Sequence, residues 1–106
     1  MQQSVKNFIK TYQLQTDAQT RYIDLVSEVG ELGKEIVKST EYGKKPYAPT
    51  PSATDELGDC LFSLFALCCE MDVDAQAALE QALAKYERRF VQKGDVGSGE
   101  QLEAHQ

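Results

Sequence analysis

Apolar side chains recur along this chain at intervals of three and four, never in sustained alternation, and that rhythm predicts helices rather than strands. Val5, Phe8, Ile9 and Tyr12 predict a short amphipathic helix over 4–14. Tyr22, Leu25, Val26, Val29, Leu32 and Ile36 make the apolar face of a longer helix. Thr16 or Asp17 can cap its start, and Gly43 offers a stop after about Tyr42. All three prolines, Pro46, Pro49 and Pro51, fall in the next ten residues, which must be loop. Ser52, with Asp55 three positions on, caps a third helix over 53–71. Met71 to Asp74 is a break, and Asp74 caps a fourth helix to about Phe90. From Gly94 the periodicity ends, so 94–106 reads as a flexible tail and 1–93 as the folded domain.

The expected class is therefore all-α: a four-helix, bundle-like protomer whose two long central helices form an antiparallel hairpin. On the third helix Leu57, Cys60, Leu61, Leu64, Phe65 and Cys68 belong to an apolar arc of roughly 220°. One neighbour does not need so wide an arc, and a chain of 106 residues buries a modest share of its surface. The protomer is expected to be completed by oligomerisation.

Charge narrows the functional classes. A net charge of −6 disfavours long nucleic acid or an anionic membrane as partner, while allowing a nucleotide that brings its own metal. The longest apolar stretch, Cys60 to Cys69, is too short to span a bilayer. Cys60, Cys68 and Cys69 are odd in number and lack a Cys-x-x-Cys spacing. They read as reduced thiols of a cytoplasmic protein. The only histidine, His105, lies in the tail, which argues against histidine catalysis or ligation.

The chemistry concentrates in two couplets, Glu28 with Glu31 and Glu56 with Asp59, each three residues apart on a predicted helix. Such spacing sets both carboxylates on one face. On the second helix Asp24, Glu28, Glu31 and Glu35 fall within about 60° on the wheel, opposite the apolar face. Packed side by side, the two helices can bring four carboxylates together, and an all-oxygen anionic cluster suits a hard divalent cation. The bland alternative is a solvated acidic face, with Glu56, Asp59, Ser63 and Glu70 a strip turned to water. Against it, no lysine or arginine occurs between Lys45 and Lys85, so another helix or a metal must compensate these acids. On the fourth helix Lys85 and Arg89, with Arg88 near, offer an anion site, although cations also suit a helix C-terminus. Lys44 and Lys45 form a second basic cluster in the loop. There is no glycine-rich phosphate loop. Gly30, Gly33 and Gly58 sit inside helices, as close helix approach beside the acids would allow.

The stretches 27–32 (SEVGEL), 55–62 (DELGDCLF) and 85–90 (KYERRF) together resemble the MazG-like nucleoside triphosphate pyrophosphohydrolases of the all-α NTP pyrophosphatase superfamily, over about 18–93. The resemblance implies that Glu28, Glu31, Glu56 and Asp59 bind Mg2+, with Mn2+ a possible substitute, and that Lys85 and Arg89 help hold a triphosphate. It implies cleavage between the α and β phosphates, a homodimer or homotetramer with sites completed between subunits, and a house-cleaning role in the nucleotide pool. Glu31 is the first candidate for general base and Glu35 the reserve; Arg88 and Lys44 are further substrate-binding candidates. Two positions depart from the family pattern: Ser27, where a further Glu is common, and Leu83, where Asn is frequent. The rivals are a dUTPase-like or phosphoribosyl-ATP pyrophosphohydrolase branch, and a non-enzymatic helical interaction module.

Overall fold

The computed structural model describes residues 1–93, which hold four helices and no strand. These are α1 (Gln2–Thr11), α2 (Ala18–Ser39), α3 (Pro51–Glu70) and α4 (Ala75–Lys93). The all-α class follows the apolar rhythm of the sequence. The tail expected over 94–106, His105 included, lies outside the described residues. Two compact units are present, Met1–Val73 and the segment beginning at Asp74, so α1 to α3 belong to one and α4 to the other. No described helix is long and apolar enough to cross a membrane.

The helix ends differ from the expected ones for local reasons. Helix α2 stops at Ser39, short of Tyr42, because Ser39 Oγ and Thr40 Oγ1 donate back to the carbonyls of Ile36 and Val37. Glu41, Tyr42 and Gly43 then take positive φ, and Thr40 Oγ1 accepts from the Gly43 amide. Helix α3 begins two residues early. Thr50, not Ser52, is the cap, its hydroxyl accepting from Ala53 N at 3.0 Å, and Pro51 occupies the first turn, where its missing N–H costs nothing. Helix α1 spans Gln2–Thr11 rather than 4–14, closed by Gln13 at φ 55° and Leu14 N donating to Ile9 O. Asp17 caps α2 through Thr20 N at 2.8 Å, and Asp74 caps α4 through Ala77 N at 3.2 Å. Helix α4 runs three residues past Phe90.

Helices α2 and α3 pack antiparallel: Arg21 at the start of α2 pairs with Glu70 at the end of α3, and the charge of Glu28 is felt at Cys60. The residues α2 turns inward are Arg21, Leu25, Glu28, Leu32 and Glu35, all buried or half-buried. Opposite them α3 supplies Ala53, Glu56, Cys60, Ser63, Leu67 and Glu70. This corrects the sequence reading of α2. Of its apolar face only Leu25 and Leu32 enter the contact, while Tyr22, Val26, Val29 and Ile36 stay exposed. Helix α1 covers another face of α3 towards its C-terminal end. Phe8 meets Phe62 edge-on at 5.8 Å between centroids, and Gln2 Nε2 donates to Val73 O at 2.8 Å.

At the end of the hairpin remote from the long loop, Arg21 makes a clasp. Its side chain is 8% exposed, its Nε lies 3.6 Å from Glu70 Oε2, and its Nη2 donates to Leu14 O. Glu70 Oε2 also accepts from Thr16 N at 3.1 Å. One ion pair thus ties the α1–α2 connection to both long helices.

Candidate metal centre

Glu28 on α2 and Glu56 and Asp59 on α3 converge where the helices cross. One carboxylate oxygen from each can be chosen so that all lie within 4.8 Å of one another. Glu28 and Glu56 are half-buried in the helix contact and Asp59 is exposed at its rim. The helical periods put them there. Glu28 sits seven residues after Arg21 on the inner line of α2, and Glu56 and Asp59 are three apart on α3. The acidic stripe of α2 therefore lies on the shoulder of the packed face, not opposite it.

Among the described residues no cation pairs with the group. Among the described residues Glu28, Glu31, Glu56 and Asp59 have no lysine or arginine at ion-pair distance, whereas Glu70 has Arg21. The strip Glu56, Asp59, Ser63, Glu70 thus divides. Its far end is compensated by another helix; its near end is not. Burial, and then the charges of Asp59, Glu31, Glu28 and Asp55, push the Glu56 carboxyl above its ordinary value. Half-buried carboxylates that repel each other across a helix contact are not a solvated face. Their all-oxygen, anionic donor set fits a hard divalent cation.

Of the other candidates, Glu31 and Glu35 belong to α2 beside this core. Glu31 is exposed and stands outside the 4.8 Å group, though close enough for its charge to act on Glu56. Glu35 is half-buried, one turn further along α2. Lys44 is exposed in the α2–α3 loop, where its neighbour Lys45 pairs with Glu41 at 3.3 Å. On α4 Lys85 and Arg89 are half-buried four residues apart, Arg88 is exposed, and Lys85 Nζ lies 5.1 Å from the Tyr86 ring centroid.

Three neighbours of the cluster were not read from the sequence as part of it. The Cys60 thiol is buried beside it, pushed up by that burial and then by Glu28, Asp59 and Glu56. Its place, four residues after Glu56, was the available signal. Ser52 and Thr54 line an open groove with Pro51, Asp55, Gly58 and Asp59 on the first turns of α3. Close helix approach does not account for the helical glycines among the described residues, where a Cβ built on Gly30, Gly33 or Gly58 meets nothing within 4 Å.

A family model for the MazG nucleotide pyrophosphohydrolase domain matches residues 16–92. The chain belongs to the MazG family. That match contains α2 and α3 whole, and with them every acid of the cluster. A relative in Bacillus subtilis (strain 168), called Uncharacterized protein YpjD, is 34% identical over 68 residues, covering 61% of this MazG chain. The chain spans about three-fifths of that relative, 60% of its length. No solved structure gives a significant match.

Proposed function

We propose that this MazG domain hydrolyses nucleoside or deoxynucleoside triphosphates between the α and β phosphates, using Mg2+ or, in its place, Mn2+, and releases the monophosphate and pyrophosphate. The observation that carries the reading is the meeting of Glu28, Glu56 and Asp59 without a basic partner among the described residues, in a chain of a nucleotide pyrophosphohydrolase family. Those three residues hold the ion, joined by Glu31 at the exposed rim. When bound, the ion offsets charge on the phosphate oxygens and acidifies water.

The chain's own groups supply the rest. Glu31, exposed beside the cluster, accepts a proton from the attacking water at a carboxylate oxygen; Glu35, half-buried one turn away, is the alternative base. The water oxygen bonds to phosphorus, the bridging P–O bond breaks in line, and pyrophosphate leaves. Lys85, Arg88, Arg89 and Lys44 are assigned to phosphate oxygens, because a guanidinium donates to such oxygens in a fork and an ammonium attracts them as a point charge. The working form is a homodimer or homotetramer, and the role is removal of unwanted nucleotides.

Incubation of the purified chain with each NTP and dNTP plus Mg2+, followed by product identification, tests this reading. Monophosphate and pyrophosphate are expected. Glu56→Gln and Asp59→Asn should each abolish their release while the helical circular dichroism persists. Orthophosphate as first product, or turnover surviving in either variant, would refute it. Including dUTP and phosphoribosyl-ATP in the panel separates the branches of the superfamily.

A further inference from the structure

Asp55, Asp59, Phe62, Ala66 and Cys69 follow one another along α3 at intervals of four and three, so they form a single strip on its surface. The strip has two halves. Helix α1 lies over the second: Phe8 meets Phe62 edge-on, Gln2 Nε2 is 3.9 Å from Cys69 Sγ, and Ala66 between them is 0% exposed. The first half is the open groove that holds Ser52, Asp55, Gly58 and Asp59. Beyond Asp59 the strip therefore passes, within one helical turn, from carboxylates to the rings at the edge of α1.

Those rings are poorly covered. Phe8 and Tyr12 stand 4.8 Å apart between centroids and are tilted by 50°, while Phe8 meets Phe62 at 86° and 5.8 Å. Tilted and edge-on approaches leave flat ring faces free, and Phe8 is 48% and Tyr12 62% exposed. Ser4, Phe8, Thr11 and Tyr12 share about 100° of the α1 surface, so only hydroxyls accompany the rings there. No charged group belongs to that arc, although the carboxylates of Asp55 and Asp59 lie further along the same strip of α3.

We infer that Phe8 and Tyr12, backed by Phe62, receive the nucleobase of the triphosphate by stacking alone, which makes purine nucleoside triphosphates the preferred substrates. The triphosphate is taken to be held at Glu28, Glu56 and Asp59, as in the proposed function on which this reading rests. Residues three apart on a helix have Cβ atoms about 5–6 Å apart, so Phe62 stands roughly a sugar's length from Asp59. The neighbouring carboxylates call for a cation and the open rings for a flat apolar group; a metal-bound nucleotide brings both. Base discrimination follows from what the arc lacks. A hydroxyl donates or accepts as its partner requires, and the amide and guanidinium groups that pair with particular base edges are missing from it. Stacking area is what remains to tell bases apart, and a two-ring purine covers more of the wall than a pyrimidine.

Calorimetry of the full chain with Mg2+ and α,β-methylene triphosphates, whose bridging carbon resists cleavage between the α and β phosphates, tests the wall. The adenosine analogue should bind about three- to tenfold more tightly than the uridine analogue. Tyr12→Ala should weaken the adenosine analogue by about fivefold or more and leave inorganic tripolyphosphate, which has no base, bound as before. A uridine analogue bound as tightly as the adenosine one overturns the inference. So does a Tyr12→Ala chain that keeps its adenosine affinity, or that loses tripolyphosphate affinity to the same extent, as a merely structural role would produce. If circular dichroism shows that variant unfolded, the wild type decides by proton resonance: Tyr12 ring signals that shift with the adenosine analogue and not with tripolyphosphate support the wall, and unmoved signals overturn it. Binding is read without turnover. Base-ranked binding with no hydrolysis sinks only the hydrolase, and hydrolysis with base-blind binding sinks only the wall.

Discussion

Glu70→Gln should destabilise this fold far more than an ordinary surface substitution. The Arg21 side chain is 8% exposed and that of Glu70 17%, so the guanidinium has little water to replace a lost counter-ion. Glutamine can still accept from Thr16 N, which Glu70 Oε2 does at 3.1 Å, but it removes the charge facing Arg21 Nε. Nε already has no hydrogen-bond partner, and only Leu14 O would remain for Nη2. Breaking one side of a buried pair costs about 3–5 kcal/mol. The partly wet edge of Glu70 and the 3.6 Å separation place this pair at or below the low end of that range, near 2–3 kcal/mol. For a domain of this size that is a fall in Tm of roughly 10–20 °C. Thermal and urea unfolding followed at the helical dichroism band, at one fixed protein concentration, measure it. The paired change Arg21→Met with Glu70→Leu should recover most of the loss, since apolar replacement of a buried ion pair is often neutral or better. A Glu70→Gln chain melting within about 4 °C of wild type would show that the clasp does not hold the α1–α2 connection to α3.

Further outcomes follow from the cluster and the caps. Free Mn2+ or Mg2+ at a hundred times its dissociation constant should stabilise the chain by about 2.7 kcal/mol, seen as a rise in melting temperature of roughly 10–20 °C, and Glu56→Gln should remove that rise. Without metal, the Glu56 carboxyl keeps its proton to higher pH in the folded chain than its ordinary value of 4.5. The folded state then binds more protons than the unfolded one, so this group's contribution to stability falls as pH rises from about 4.5 through its raised folded value. The difference in urea midpoint between wild type and Glu56→Gln across pH 4–7 should follow that sign; a difference independent of pH contradicts it. Metal affinity by calorimetry should weaken as pH falls, because ligands must lose their protons. Thr50→Ala, which removes the hydroxyl accepting from Ala53 N, should cost about 1 kcal/mol; an unchanged urea midpoint would mean that the cap is replaced by solvent.

The helices were legible because their apolar positions recur at three and four; the same period put Glu56 and Asp59 on one face of α3, where Glu28 meets them, while Glu31, expected with them, stands outside the group. What the period cannot tell is which of two adjacent seams a helix turns to its own chain. Hydrophobicity picked Tyr22, Val26, Val29 and Ile36 for α2, yet the hairpin takes the neighbouring line with Arg21, Glu28 and Glu35. Nor could it tell Glu70 from Glu56. Both look uncompensated along α3, and only folding brings Arg21 to one of them. Helix ends moved where hydroxyls intervened, at Ser39 and Thr40 and again at Thr50.

The position of Cys60 gives the molecule an internal stopwatch. Thiol reagents attack the thiolate, and this sulfur is enclosed between α2 and α3 and held in its neutral form. Alkylation must therefore wait for the helices to part, so its pace, read peptide by peptide against Cys68 and Cys69, clocks how often the carboxylates separate. Any ligand that bridges the two helices has to slow that clock.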